Sequence, residues 1–256
     1  MNFKGNRIAV LGGSGLLGSS IVRELSECDA QPIIVDVDFE RGEALKSIIV
    51  NEGRDAEFFC ADFSKVDEIA DTIKAIVEKF GNISGWVLSF YPRTDDWGNK
   101  LESVKPGSWN SNVEMQMNAT CLCAAEIAKN MAELNGGSIV TIGSIYGSVA
   151  PNFDIYKGTD MTTPAAYAAI KGGVSAFTKY LSSYYGSKDV RVNNVVAGGI
   201  FNNQDQSFLD NYSSLTSLNR LAEPEEVANA VMFLLSDSSS YITGIDLPVD
   251  GGYLSR

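Results

Sequence analysis

The stretch Tyr167-Ala168-Ala169-Ile170-Lys171 places a phenol and an ammonium four residues apart. On a helix, residues i and i+4 share a face, so both side chains can enter one site. A free tyrosine releases its proton only near pH ~10. A neighbouring cation favours the phenolate and draws that value toward neutrality. A tyrosine so placed trades a proton with an alcohol or a carbonyl oxygen. The chain has no histidine, which excludes Ser-His-Asp and Cys-His catalysis and any His-ligated metal. Chemistry here must use Tyr, Lys, Ser, Asn and carboxylates, or a bound cofactor. Tyr-x-x-x-Lys also arises by chance on helices, so its weight depends on the elements that carry it.

Those elements alternate along the chain. Strands are expected over residues 7–11, 32–36, 57–60, 86–89, 138–142, 190–196 and 246–249. Helices are expected at about 15–27, 40–51, 111–132 and 167–185. Short, continuous, β-branched runs separated by helices mean a parallel sheet covered on both faces. The fold class is therefore α/β, a Rossmann-type doubly wound parallel sheet of about seven strands. Residues 1–256 are expected to form a single domain, since no repeat, low-complexity tract or linker interrupts them. Two long loops, residues 90–107 and 143–163, follow strand C-termini, the edge where open α/β sheets bind ligands. Both are expected to shape the substrate pocket.

Between the first strand and first helix stands Gly12-Gly13-Ser14-Gly15-Leu16-Leu17-Gly18. Glycines allow a tight turn and a close approach of backbone amides to a pyrophosphate, and the following helix presents its positive end. At the first βα junction of a doubly wound pattern this loop predicts dinucleotide binding rather than a plain tight turn. Asp36 ends the second strand, where a carboxylate can bind both hydroxyls of an adenosine ribose and repel a 2′-phosphate. No Arg or Lys stands beside it at Val37 or in the loop at Ser14 and Gly15. NAD(H) is thus expected in preference to NADP(H). Asp38 either shares that role or caps the next helix. Asp62 either approaches the adenine or caps a helix ahead of Ser64.

A net charge of −12 speaks against nucleic-acid or anionic-membrane partners. No apolar run reaches the ~20 residues that span a bilayer, and the start lacks a signal-peptide apolar region. The expected location is the cytoplasm. Cys28, Cys60, Cys121 and Cys123 have no metal-site spacing and are expected to be buried, reduced thiols.

Taken together, these residues resemble the short-chain dehydrogenase/reductase family over nearly the whole chain. Gly137-Ser138-Ile139-Val140-Thr141-Ile142-Gly143-Ser144 is similar to the family's strand carrying the active-site serine, and Met117-Asn118-Ala119 to its helix asparagine. Arg191-Val192-Asn193, Ser240-Tyr241-Ile242-Thr243-Gly244 and Val249-Asp250-Gly251-Gly252-Tyr253 resemble its later segments. The resemblance implies a catalytic set of Asn118, Ser144, Tyr167 and Lys171. Tyr167 would be the general acid/base, and Lys171 would lower its pKa and hydrogen-bond the nicotinamide ribose. Ser144 would polarise the carbonyl, and Asn118 would anchor a relay water. It also implies cofactor contacts at Phe90, Gly198 and Ile200, besides the glycine loop. Departures are Leu16 in place of the usual middle glycine, Leu11 for threonine, Leu88-Ser89-Phe90-Tyr91 for Asn-Asn-Ala-Gly, and Ala197-Gly198 for Pro-Gly.

Tyr91-Pro92-Arg93, residues 145–164 and residues 199–205 resemble the subset of the family found with flagellin and surface-polysaccharide modification. Ser144 and Tyr167 are 23 positions apart, so the segment between them is an insertion beside the site. With Tyr146, Asn152, Asp154, Tyr156, Lys157 and Asp160 it suits a hydroxyl-rich, sugar-like ligand better than an acyl chain. Arg93 either binds an anionic substrate group or pairs with Asp95 or Asp96, and Lys157 carries the same ambiguity. Arg220 is read as a structural ion pair. Substrate contacts are expected at Arg93, Tyr146, Tyr156 and Gly199, with residues 202–218 forming a helical lid. Relatives self-associate through helices like 111–132 and 167–185, so a homodimer or homotetramer is expected. Two other readings stand beside the alcohol–ketone oxidoreductase. One is a non-catalytic nucleotide-binding scaffold, the other a sugar epimerase or dehydratase that recycles its NAD.

Overall fold

Seven strands form one parallel sheet in the order β3-β2-β1-β4-β5-β6-β7. They are β1 (Arg7–Leu11), β2 (Gln31–Asp36), β3 (Glu57–Cys60), β4 (Gly85–Leu88), β5 (Gly137–Ser144), β6 (Val190–Ala197) and β7 (Asp246–Val249). The computed structural model describes residues 1–134 and 136–255. Eight α-helices occur among them: α1 (Leu16–Glu27), α2 (Phe39–Asn51), α3 (Ile69–Phe80), α4 (Pro106–Asn112), α5 (Ala119–Glu133), α6 (Tyr167–Tyr185), α7 (Gln206–Ser213) and α8 (Pro224–Leu235). The central strands are apolar on both faces because helices cover both. Ile21, Leu25, Ile49 and Val231 of α1, α2 and α8 pack one face. Ile73, Ile76, Ile127 and Leu181 of α3, α5 and α6 pack the other around Trp86. Each such side chain contributes roughly 1.5–3 kcal/mol by leaving water.

The sheet winds outward in both directions from β1, whose Leu11 lies opposite Val35 on β2 and Leu88 on β4. The connections diverge there, so the strand C-termini open a cleft at the switch point. β5 is longer than the sequence pattern indicates, and Ser144 is its last residue rather than part of a loop. The helix expected over 111–132 is three pieces: α4, a π-helical segment Val113–Asn118, and α5. Pro106 starts α4 at a position where its missing N–H costs nothing.

A polar brace locks α6 against the sheet. Asp246 on β7 accepts hydrogen bonds from Asn194 (2.7 Å) and Ser175 (2.6 Å) and pairs with Lys179. Thr141 on β5 donates to Asn194 and meets Thr178 of α6. Burial opposes the Asp246 charge, but the bonds from Asn194, Lys179 and Ser175 hold its carboxyl below the ordinary value. This fixes the helix carrying Tyr167 and Lys171 relative to the strand carrying Ser144.

Candidate active site

A groove of about 910 Å³ runs across the switch point from Asp36 to Tyr167. Gly12, Ser14, Gly15, Leu16, Leu17 and Gly18 line its middle. Gly12 has φ +75°, and a Cβ there would come within 2.6 Å of the Phe90 backbone, so only glycine fits. A Cβ on Gly18 would overlap the Gly12 carbonyl, which keeps α1 close to the loop. The N-cap of α1 is Gly15, with no side-chain cap and no acidic residue in the first turn. Its free amides are left for an anion. The unusual stretch after β4 supports the loop: Ser89 donates through N–H and Oγ to the Leu11 carbonyl at 2.9 and 2.8 Å. Phe90 stacks on Phe63 along the groove wall.

At one end, Asp36 accepts from the N–H of Ser14 (2.9 Å) and of Asp38 (3.1 Å), which aims the carboxylate while leaving lone pairs for a ligand. Asp38 is a helix cap, accepting the Arg41 N–H. Asp62 caps no helix, since the helical segments that follow are capped by Lys65 and Glu68. Its Oδ1 accepts from Ser64, and the residue lines the groove. The groove also contains Arg41, whose Nη2 donates to the Ser14 carbonyl at 2.7 Å.

At the other end stand Tyr167, Lys171, Gly143, Gly198 and Ile200. Lys171 Nζ donates to the Ile142 carbonyl at 2.8 Å and lies over the rings of Tyr91 and Tyr167. Burial draws its pKa down to about 8. The sequence reading has Lys171 lowering the phenol, whereas the Tyr167 pKa is raised here. Burial is the dominant cause, opposed by the Ser144 hydroxyl and reinforced by Tyr156. Lys171, itself pushed toward neutrality by burial and bonded to the Ile142 carbonyl, is not among the influences that lower the Tyr167 pKa. Ser144 is buried, and its Oγ accepts the Tyr146 N–H at 3.2 Å.

Asn118 does not join this site. It is exposed, on the same outward face as Leu122 four residues on. The inward face carries Asn112, Gln116 and Thr120, all buried. Asn112 bonds Thr94 in the loop after β4, and Thr120 lines the groove. Gln116, between them, is 3% exposed, and neither atom of its amide has a hydrogen-bond partner among the described residues. Helix phase explains the difference. Positions 116 and 118 point to opposite sides, so the inward place expected of Asn118 is taken by Gln116. The four-residue spacing of Asn112, Gln116 and Thr120 was the available signal.

Arg93 lines the groove, with its guanidinium 5.8 Å from the Tyr91 ring centre and no ion pair to Asp95 or Asp96 among the described residues. Asp96 instead accepts from Ser108. Trp97, absent from the sequence reading, donates its indole N–H to the Tyr91 hydroxyl at 2.7 Å. Both rings meet Tyr167 edge-on, at 6.0 and 6.3 Å. Tyr146 and Tyr156 are not on the groove wall. They pack with Phe208, Tyr212 and Tyr253 beneath α7, and the buried Tyr146 hydroxyl has no partner there. Gly199 gives its N–H to the Tyr212 hydroxyl and lies behind the groove. The expected lid is the short helix α7, tied to the insertion by Asn211 bonds to the Ile155 and Lys157 carbonyls.

Other expectations resolve more simply. Arg220 forms a bidentate pair with Glu226, the residue completing the α8 capping box, and that pairing draws the Glu226 pKa down to about 2. Lys157 pairs with Asp154 on the surface. Of the cysteines, Cys123 is buried and Cys60 is exposed, so burial does not hold for all four. Among the described residues no helix is long and apolar enough to cross a membrane, and no cluster suited to a metal ion occurs.

A dinucleotide groove on a doubly wound sheet, with Tyr and Lys one turn apart at its end, defines a class of oxidoreductase. A family profile described as "Enoyl-(Acyl carrier protein) reductase" matches residues 14–254. The chain belongs to the short-chain dehydrogenase/reductase family, enzymes that bind nicotinamide cofactors and act on CH–OH groups. It is 27% identical to post-translational flagellin modification protein A of Campylobacter coli, covering 96% of this chain and 97% of that one. It is 31% identical to a 3-oxoacyl-(acyl-carrier-protein) reductase of Chlamydia trachomatis, with coverage of 96% and 97%. A short-chain dehydrogenase from Leptospira borgpetersenii, solved with bound NAD+, superposes with a TM-score of 0.83 at 28% identity, over 98% of this chain and 94% of that one.

Proposed function

We propose that this protein is an NAD(H)-preferring enzyme interconverting a secondary alcohol and a ketone on a sugar or sugar-derived substrate, in flagellin or surface-glycan modification. The observation carrying this reading is the convergence of Tyr167, Lys171 and Ser144 at one end of a groove whose other end is Asp36. The glycine cradle, the uncapped α1 amides and the Asp36 carboxylate fit a dinucleotide. When bound, the nicotinamide supplies or accepts the hydride. Gly12, Gly15, Leu16, Leu17 and Gly18 would hold its pyrophosphate, Asp36 and Asp62 its adenosine, and Phe90, Gly198 and Ile200 its nicotinamide half.

Tyr167 delivers a proton to the substrate oxygen or withdraws one from it, and Ser144 donates a hydrogen bond to the same oxygen. Lys171 refills the phenol through its protonated ammonium. Gln116 takes the role first expected of Asn118, its buried amide holding a water that links the lysine to solvent. Tyr91 and Trp97 wall the reacting oxygen from bulk water, and Arg93 receives an anionic group on the substrate. Tyr146, Tyr156 and Gly199 shape the site from beneath the lid. The similarity to a flagellin modification protein and the polar and aromatic loops support a sugar. The protein is taken to act as one cytoplasmic domain. Self-association as a dimer or tetramer is supported by Leu122 on α5 and the stacked, exposed Tyr180 and Tyr184 on α6.

The test is a screen of nucleotide-linked and phosphorylated sugars, with a 3-oxoacyl thioester as comparison, for NAD(H)-coupled absorbance change. Turnover of a sugar is expected to fall ~10²–10⁴-fold in Tyr167→Phe, with NADH binding within threefold of wild type. Turnover confined to the thioester would overturn the substrate class. Turnover surviving in Tyr167→Phe would overturn the proton-transfer role.

A further inference from the structure

Tyr91 brings a second phenol to the reacting end of the groove, replacing the glycine of the family's Asn-Asn-Ala-Gly stretch. Its ring centre lies 6.0 Å from that of Tyr167 and 5.7 Å from Lys171 Nζ. The Tyr91 oxygen accepts the Trp97 indole N–H at 2.7 Å. An indole only donates, so that bond engages a lone pair and leaves the Tyr91 O–H uncommitted. Tyr91 makes no other hydrogen bond among the described residues. Burial and the neighbouring Tyr167 hold its pKa well above the ordinary phenol value, against the pull of Trp97 and Arg93. Tyr91 is therefore a neutral donor across the working range. The loop that aims it is fixed. Asn112 on α4 donates to Thr94 Oγ1 at 2.7 Å and accepts the Thr94 N–H at 3.2 Å. Thr94 in turn accepts the backbone N–H of Trp97 at 3.1 Å. A donor held in this way loses little freedom when a ligand arrives. A sugar ring carries oxygens on neighbouring carbons, so a substrate whose reacting oxygen meets Tyr167 has a second oxygen to offer Tyr91.

We propose that Tyr91 is a specificity-determining residue and Trp97 the residue that positions it: the aimed phenol donates to an oxygen on the carbon next to the reacting one. The site then selects substrates with two adjacent oxygen functions, a vicinal diol in one direction and an α-hydroxyketone in the other. A simple secondary alcohol leaves the Tyr91 donor unused. In the oxidising direction the reacting carbon loses its hydride to NAD+ and its hydroxyl proton to Tyr167, while the flanking oxygen keeps its bonds. This rests on the alcohol–ketone reading given above and narrows its substrate class.

The experiment measures Kd by ligand-observed NMR titration of the full-length, NADH-loaded protein with cis-cyclohexane-1,2-diol and with cyclohexanol. The two probes differ only in the second hydroxyl. Alcohol and NADH are both reduced, so nothing turns over and binding alone is read. Wild type is expected to bind the diol more tightly than the alcohol. Tyr91→Phe is expected to weaken the diol about three- to tenfold, the worth of one hydrogen bond, and to leave cyclohexanol within twofold. Trp97→Phe keeps a ring but lacks the N–H, so it weakens the diol less. It adds nothing in the Tyr91→Phe background, because it acts through Tyr91. Equal weakening of both probes by Tyr91→Phe would show that the ring is only a wall, and would overturn the proposal. So would an unchanged diol, or a wild type that binds neither probe or does not prefer the diol. Additive effects of the two substitutions would overturn the positioning role of Trp97. The alcohol–ketone reading fails separately, through a turnover screen confined to the thioester or unaffected by Tyr167→Phe, whatever the probe ratios. Circular dichroism and retained NADH binding confirm that the variants are folded.

Discussion

Replacing Gln116 by Leu separates two effects that usually travel together. The Gln116 amide is buried with no partner on either atom. A buried amide lacking a compensating bond costs roughly 1–3 kcal/mol on mutational scales. A leucine of similar volume removes that cost and keeps the packing between α4 and α5. Gln116→Leu is therefore expected to stabilise the protein by about 1–2 kcal/mol, after allowing for water that satisfies part of the amide. For a chain of this size that raises Tm by roughly 2–8 °C. If the amide holds a relay water, turnover falls by about 10–100-fold in the same variant. Asn118→Ala, on the exposed face, should stay within about 0.5 kcal/mol with turnover unchanged. Scanning calorimetry or urea unfolding reads stability, and NAD(H)-coupled absorbance reads turnover. A destabilised Gln116→Leu that keeps full activity would refute the reasoning, as would an Asn118→Ala variant that loses turnover while Gln116→Leu does not.

Lys171 gives a pH prediction whose sign follows from its value of about 8 in the folded chain against an ordinary 10.5. Between those values the unfolded chain binds the extra proton, so stability rises with pH across that window, by at most about 1.4 kcal/mol per pH unit. Lys171→Met should lack that rise. Urea midpoints measured from pH 7 to 10 in both proteins check it, and parallel curves would contradict the burial argument. Trp97→Ala removes one wall beside Tyr167 and its bond to Tyr91. KM for the sugar is expected to rise about tenfold with a smaller change in kcat, since an aromatic contact of about 1 kcal/mol and some excluded water are lost. An unchanged KM would place the indole outside the substrate site.

Much of this protein is written locally. Periodicity and β-branched runs identify all seven strands, and the glycines after β1 are forced by contacts only a residue without Cβ permits. The Tyr167–Lys171 pair is a matter of helical spacing, and Ser144 is marked by the motif of residues 137–144, although the strand runs two residues further than its pattern shows. Asp36 at the end of β2 could be read in the same way, because strand and loop are consecutive there. Three features needed the folded chain. Asn118 and Gln116 are two residues apart, and only the π-helical segment and its packing decide which points inward. Arg41 reaches Ser14 because α2 folds back across the loop, so its distance from Asp36 in sequence says nothing about its distance in space. Trp97 meets Tyr167 across some seventy positions through a loop with no periodicity to read. The chemistry of the site follows from residue types at short, regular spacings. Its walls and its charge at the adenosine end come from long-range contacts, which no local pattern encodes.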